Sequence, residues 1–99
     1  MTQLRYAPGF FKDLERLTEF LLGRHPEDAQ GLADMILDGL AMLKLHPAVG
    51  RPYDLPFREF IISRGYSGYL ALYRYNPVRD EVLVLRIRHQ RESGYRFIE

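Results

Sequence analysis

The sequence predicts an α+β domain: an N-terminal helical hairpin packed on a mostly antiparallel sheet, in the order β-α-α-β-β-β. Three observations predict it. Apolar residues recur at helical spacing twice between positions 10 and 43. Three strand-like runs follow between positions 58 and 89. Short turn-forming stretches, not long linkers, join the pieces. With 99 residues and 46% hydrophobic content, the chain has material for one domain spanning 1–99 and one modest core.

The elements follow in order. Gln3 to Tyr6 reads as a short strand. Pro8 suits the first turn of a helix, where its missing N–H costs little. Phe10, Leu14, Leu17 and Leu21 then form an apolar stripe with Phe11 and Leu22 beside it, while Lys12, Asp13, Glu15, Arg16 and Glu19 are expected on the other side. Gly23 is expected to end this helix in a left-handed conformation. A second helix is expected from Pro26, with Glu27 and Asp28 in its first turn and a stripe of Ala29, Ala33, Ile36, Leu40 and Leu43. Gly31 and Gly39 weaken it but admit a close neighbour. His46-Pro47 stops it, and HPAVGRPYDLP reads as a loop. The strands are REFIIS (58–63), YLALYRY (69–75) and EVLVLRIRH (81–89), with NPVRD as the turn between the last two.

Period-two alternation in the last strand separates Leu83, Leu85 and Ile87, expected to face the helices, from Val82, Val84, Arg86 and Arg88, expected on an open face. In the preceding strand Leu70, Leu72 and Arg74 alternate with Tyr69, Ala71, Tyr73 and Tyr75, and the pattern leaves its inward face open. Either way the open face carries arginine, and Arg58 or Arg64 can join it.

Composition narrows the function. There is no cysteine, so neither a disulfide framework nor thiolate chemistry is available. No apolar run reaches the length of a membrane span, and MTQLRYAPGFF lacks the basic-then-apolar pattern of a signal peptide. A cytoplasmic protein without a membrane partner is expected. Residues 1–50 carry five Lys/Arg against seven Asp/Glu, net −2; residues 51–99 carry nine Arg against six Asp/Glu, net +3, and no lysine. An all-arginine half offers planar forks for phosphate, carboxylate or aromatic partners. His25, His46 and His89 have no metal-ligand spacing, and no phosphate-binding glycine loop or serine nucleophile motif occurs, so no metal and no cofactor is expected.

What remains is the end of the last strand, RIRHQRESGY. A metal-free ribonuclease needs an acid, a base and cations for the phosphate, which His89, Arg91 and Tyr95 could supply. The plainer roles are a strand-end His89 bonded to loop backbone and a Tyr95 ring packed on the sheet edge beside Phe97. For Arg86 and Arg88 the interleaved aromatics favour a binding surface over a merely solvated face.

The chain resembles the RelE/ParE superfamily, the toxin halves of type II toxin–antitoxin modules. The resemblance spans nearly the whole sequence: the opening strand with YAPGFFKDLERL, LKLHPAVGRPY with Pro47 and Gly50-Arg51, GYLALYRY with Tyr73-Arg74-Tyr75, and EVLVLRIRHQRESGY with His89-Gln90-Arg91. The loop and the His89-Gln90-Arg91 run look more like the ParE branch, whose members poison DNA gyrase without being enzymes. The RelE-like alternative, a ribosome-dependent mRNA endonuclease, would use His89, Arg91 and Tyr95. Against it, Leu70 follows Gly68-Tyr69 where those enzymes tend to carry an arginine, and Lys12 and Lys44 both fall on helices. A third reading is an inactive toxin-like binding module. The resemblance implies a cognate antitoxin, ParD-like and forming a hetero-oligomer, and DNA gyrase as target, with no sequence-specific DNA binding. The surface implied for target or antitoxin is Arg74, Arg86, Arg88, Gln90, Arg91, Tyr73 and Tyr75.

Overall fold

The computed structural model describes residues 1–64 and 67–96. The chain runs β1 (Gln3–Tyr6), α1 (Pro8–Leu22), α2 (Pro26–Ala29), α3 (Leu32–Leu40), a 3-10 turn (Ala41–Lys44), β2 (Arg51–Pro52), β3 (Phe57–Arg64), β4 (Ser67–Asn76) and β5 (Glu81–His89). The sheet order is β1-β5-β4-β3-β2. β1 lies parallel to β5, and every other neighbouring pair is antiparallel. This is the expected α+β architecture. Phe97 lies outside the described residues, as does the side chain of Arg64.

α1 begins at Pro8 as expected and buries Phe10 and Leu17. Tyr6 packs on Phe10 with ring centroids 4.8 Å apart, which closes the helix back onto β1. Gly23 does not turn left-handed: its φ is −79°. The chain instead tightens, with Arg24 N–H and His25 N–H both donating to Leu21 O, before Pro26 starts α2. The expected second helix is broken in two. Gly31 caps α3 at φ −99°, ψ 1°, so the weak helix former opens a bend there. Gly39 does what its size allows: a Cβ at that position would stand 2.9 Å from Ile62 Cγ2, so α3 lies directly on β3.

Between β4 and β5, Asn76 Oδ1 accepts the N–H groups of Val78 and Arg79, and Asp80 takes φ 49°. Asparagine bonding its own turn and an aspartate tolerant of positive φ explain why NPVRD reverses the chain.

The helix-facing side of the sheet holds Ile62, Tyr69, Ala71, Tyr73, Val82, Val84 and Ile87, all in one core with Phe10, Leu17, Leu32, Ile36, Leu40 and Leu43. The tyrosine set of β4 therefore points inward and Leu70, Leu72 and Arg74 lie on the open face. In β5 the expected alternation is corrected. Val82 and Val84 are buried in the core, while Leu83 and Leu85 are only half-buried. The cause is a bulge: Leu72 pairs with Arg86 but Tyr73 with Val84, so Leu85 is an inserted residue. One extra residue shifts the phase, which returns Ile87 to the core.

Candidate functional site

β1 pairs with β5 only as far as Tyr6 opposite Val84, so among the described residues the outer edge of β5 beyond the bulge has no strand beside it. Asp13 of α1 fills that role. Its carboxylate accepts Ile87 N–H at 3.0 Å and binds Arg86 through Nε and Nη2, each at 2.7 Å. Asp13 and Arg86 are 1% and 6% exposed. The placement of Arg86 on an open binding face is thus corrected: the bulge and the bare strand edge turn its side chain onto α1. Asp13 is likewise not on the solvent side of α1. It sits between Phe10 and Leu17, three residues after one and four before the other, which is core spacing.

A second cluster lies on the open face, where Glu59 of β3 is 2% exposed. Its Oε1 accepts Arg51 Nε at 3.0 Å and also Arg51 Nη2, and its Oε2 accepts the Tyr95 hydroxyl. Arg88 Nη2 stands 4.0 Å from Oε2, and the Arg88 guanidinium lies 5.1 Å from the Tyr95 ring centre. Tyr53 meets Tyr95 edge-on at 5.7 Å. Burial pushes the Glu59 carboxyl up, but hydrogen bonds from Tyr95 and Arg51 and the charges of Arg51 and Arg88 outweigh it, so its pKa is lowered. The same carboxylate raises Arg51. Burial and then Glu59 push the Tyr95 hydroxyl up.

The segment after β5 is tied down from several sides. Glu92 Oε1 accepts His89 N–H at 2.9 Å, its backbone oxygen accepts from Arg88, and Arg16 of α1 binds Oε2. This anchoring carries Tyr95 across the sheet.

The structure separates the expected site residues. Tyr73 is fully buried, its hydroxyl accepting Gly50 N–H at 2.8 Å. It is a core residue, so its expected place on the binding surface is corrected. Tyr75 is half-buried and donates to Asp80. Arg88 is mostly covered, with 15% of its side chain exposed. Arg74, Gln90 and Arg91 are exposed. Arg58 donates to Gly50 O at 2.8 Å.

His89 faces the helix side, edge-on to Tyr69 at 5.2 Å, and its Nδ1 accepts Arg91 N–H at 3.1 Å. That bond requires Nδ1 to be unprotonated, and burial and then Arg91 lower the imidazole pKa, in keeping with a neutral ring. His89 thus takes the plainer role. Tyr95 belongs with Glu59 and Arg88, not with His89. Sequence reasoning missed Glu59, Arg51 and Asp13. An acid inside the strand REFIIS, where an apolar neighbour is the rule, was the available signal for Glu59.

One group among the described residues could hold a cation: His25, Glu27 and Asp28 bring ligand atoms within 4.8 Å of one another, but all three are exposed. Among the described residues no helix is long and apolar enough to cross a membrane.

The lowered pKa of Glu59 gives a pH prediction. Its stabilisation is full above the ordinary carboxylate value of about 4.3 and is lost as pH falls through the lower folded value. Glu59→Gln removes that component. Melting curves between about pH 3 and pH 7 should show the variant losing less stability on acidification than the parent chain. Parallel acid profiles would contradict it.

A family model described as the ParE toxin of the type II toxin–antitoxin system parDE matches residues 4–94. Toxin RelE3 of Caulobacter vibrioides is 36% identical over 92 residues, covering 93% of this chain and 98% of that protein. Among solved structures, the chromosomal ParDE system from P. aeruginosa superposes with a TM-score of 0.73 at 22% identity, covering 90% of this chain and 96% of that one. The RelBE2 toxin–antitoxin complex from Mycobacterium tuberculosis does so with a TM-score of 0.53 at 22% identity, covering 90% and 98%. At such identities the two structures speak for the shared fold.

Proposed function

The chain belongs to the ParE toxin family of type II toxin–antitoxin systems, within the RelE/ParE superfamily, and from that premise we propose that it arrests growth by binding and poisoning DNA gyrase. The observation that carries the choice of target is the dispersal of the ribonuclease set. His89 is spent on the Arg91 backbone and the Tyr69 ring, and the Tyr95 hydroxyl is bound to Glu59. A tyrosine whose proton is held by a carboxylate and whose pKa is raised is a poor acid at neutral pH. The exposed Arg74 and Arg91 offer their guanidiniums to a protein surface. Arg86→Ala would test folding, not recognition.

The chain is neutralised, in this reading, by a cognate ParD-like antitoxin in a hetero-oligomer. The support is the kind of complex in which the similar folds occur and an arginine-bearing face suited to an acidic, amphipathic segment that folds as it binds.

Tyr95→Phe separates the two activities. The variant loses one hydrogen bond to a charged group, about 1.5–3 kcal/mol, and should remain folded and toxic. A ribonuclease that uses this hydroxyl would lose about a hundredfold or more in rate. Pulse-labelling after induction without antitoxin reads the target directly. DNA synthesis should fall while translation persists; translation collapsing first would overturn the gyrase reading, and unimpaired growth would identify an inactive module.

A further inference from the structure

Arg51 and Arg88 reach one anionic centre from opposite sides of the β3–β4 ladder. Arg51 donates twice to Oε1 of Glu59, and Arg88 Nη2 waits 4.0 Å from Oε2. Arg88 Nε is buried and has no hydrogen-bond partner among the described residues. Two guanidinium forks on one centre, with a donor unused, form the array a phosphodiester needs. Beside it lie Tyr95 and Tyr53, the latter 41% exposed and so open to a stacking base. The anion at the centre is the protein's own carboxylate.

We propose that the open face holds a masked site for the phosphodiester of a single-stranded nucleic acid, and that Glu59 is the specificity residue that keeps it closed by placing a negative charge on the two guanidiniums the phosphate would need. A phosphate arriving there would meet a fixed negative charge already bonded to the cations it needs. The inference rests on the reading of this chain as a protein-binding toxin and deepens it: one carboxylate excludes nucleic acid from an otherwise suitable surface.

The test is fluorescence anisotropy with purified protein and labelled single strands of RNA and of DNA, each roughly eight nucleotides long. Glu59→Gln, which keeps the shape and an acceptor oxygen, should bind about tenfold or more tighter than the parent chain at the same low salt. Equal gains for RNA and DNA identify the phosphate alone as the ligand; a larger gain for RNA adds the 2′-hydroxyl. Adding Arg51→Ala should abolish the gain. A folded Glu59→Gln with unchanged affinity, or a parent chain that binds as tightly as the variant, overturns the proposal. If Glu59→Gln does not fold, Glu59→Ser is refolded in inorganic phosphate and in chloride of equal ionic strength. Phosphate should then restore folding by filling the vacated centre, and no difference between the salts counts against the site. Neither gyrase nor ribosome enters this assay. A missing gain therefore overturns the mask and leaves the gyrase reading standing, whereas failure of the parent chain on gyrase does the reverse.

Discussion

Asp13→Ala should lower the unfolding free energy by about 3–5 kcal/mol, the usual cost of stripping one partner from a buried ion pair. Asp13 is 1% exposed and serves four donors at once: Arg86 Nε, Arg86 Nη2, Ile87 N–H and, at 3.4 Å, Arg16 Nη2. Removing it takes the two-point carboxylate contact from a buried guanidinium and orphans a strand-edge N–H. Against a total stability of about 5–15 kcal/mol, such a loss takes much of the fold. The pair is a device for joining α1 to a bulged strand, not a large net source of stability. Replacing both residues, Asp13→Leu with Arg86→Met, should therefore recover a substantial part of the loss. Urea unfolding of the two single variants and the double variant checks it. An Asp13→Ala chain within about 1 kcal/mol of the parent would contradict the structural account.

Tyr73→Ala should cost about 3–5 kcal/mol, as for other large aromatic side chains removed from a core. The residue is 0% exposed, and its hydroxyl accepts Gly50 N–H. Packing is tight there: a Cβ on Gly50 would fall 2.6 Å from the Tyr73 ring and hydroxyl and 2.9 Å from Glu59 O. Tyr73→Phe keeps the ring and loses one hydrogen bond, so it should cost about 1 kcal/mol. Thermal melts of the two variants distinguish a core tyrosine from a surface one. Small, equal losses would mean that Tyr73 is not packed as described. Any loss of toxicity in Tyr73→Ala follows from unfolding.

These two residues show where sequence reasoning stops. α1 was legible because its apolar residues keep a helical period, and the three long strands because their apolar runs end at turn-forming residues. The faces of β5 were misread from Val82 to Arg86 and right at Ile87, because Leu85 is inserted and an alternation rule has no way to register an extra residue. The inward face of β4 was ambiguous because Tyr69, Tyr73 and Leu70, Leu72 are equally plausible core residues; only the position of the helices decides between them. The break at Gly31 followed from a weakness that was visible, but whether a glycine bends a helix or survives in it depends on tertiary contacts. The site was harder still. Its central residue, Glu59, became meaningful only when Arg51, Arg88 and Tyr95 arrived from three other parts of the chain, and no local pattern connects them.

A toxin that poisons gyrase should trap it on cut DNA with purified components alone. The direct measurement mixes purified protein with DNA gyrase, ATP and supercoiled plasmid, then adds detergent and protease and separates the plasmid forms. Linear plasmid should accumulate with protein concentration and disappear when a cognate antitoxin is added first. Unbroken, normally supercoiled plasmid at saturating protein, alongside mRNA cleavage in a translating ribosome extract, would contradict the gyrase reading.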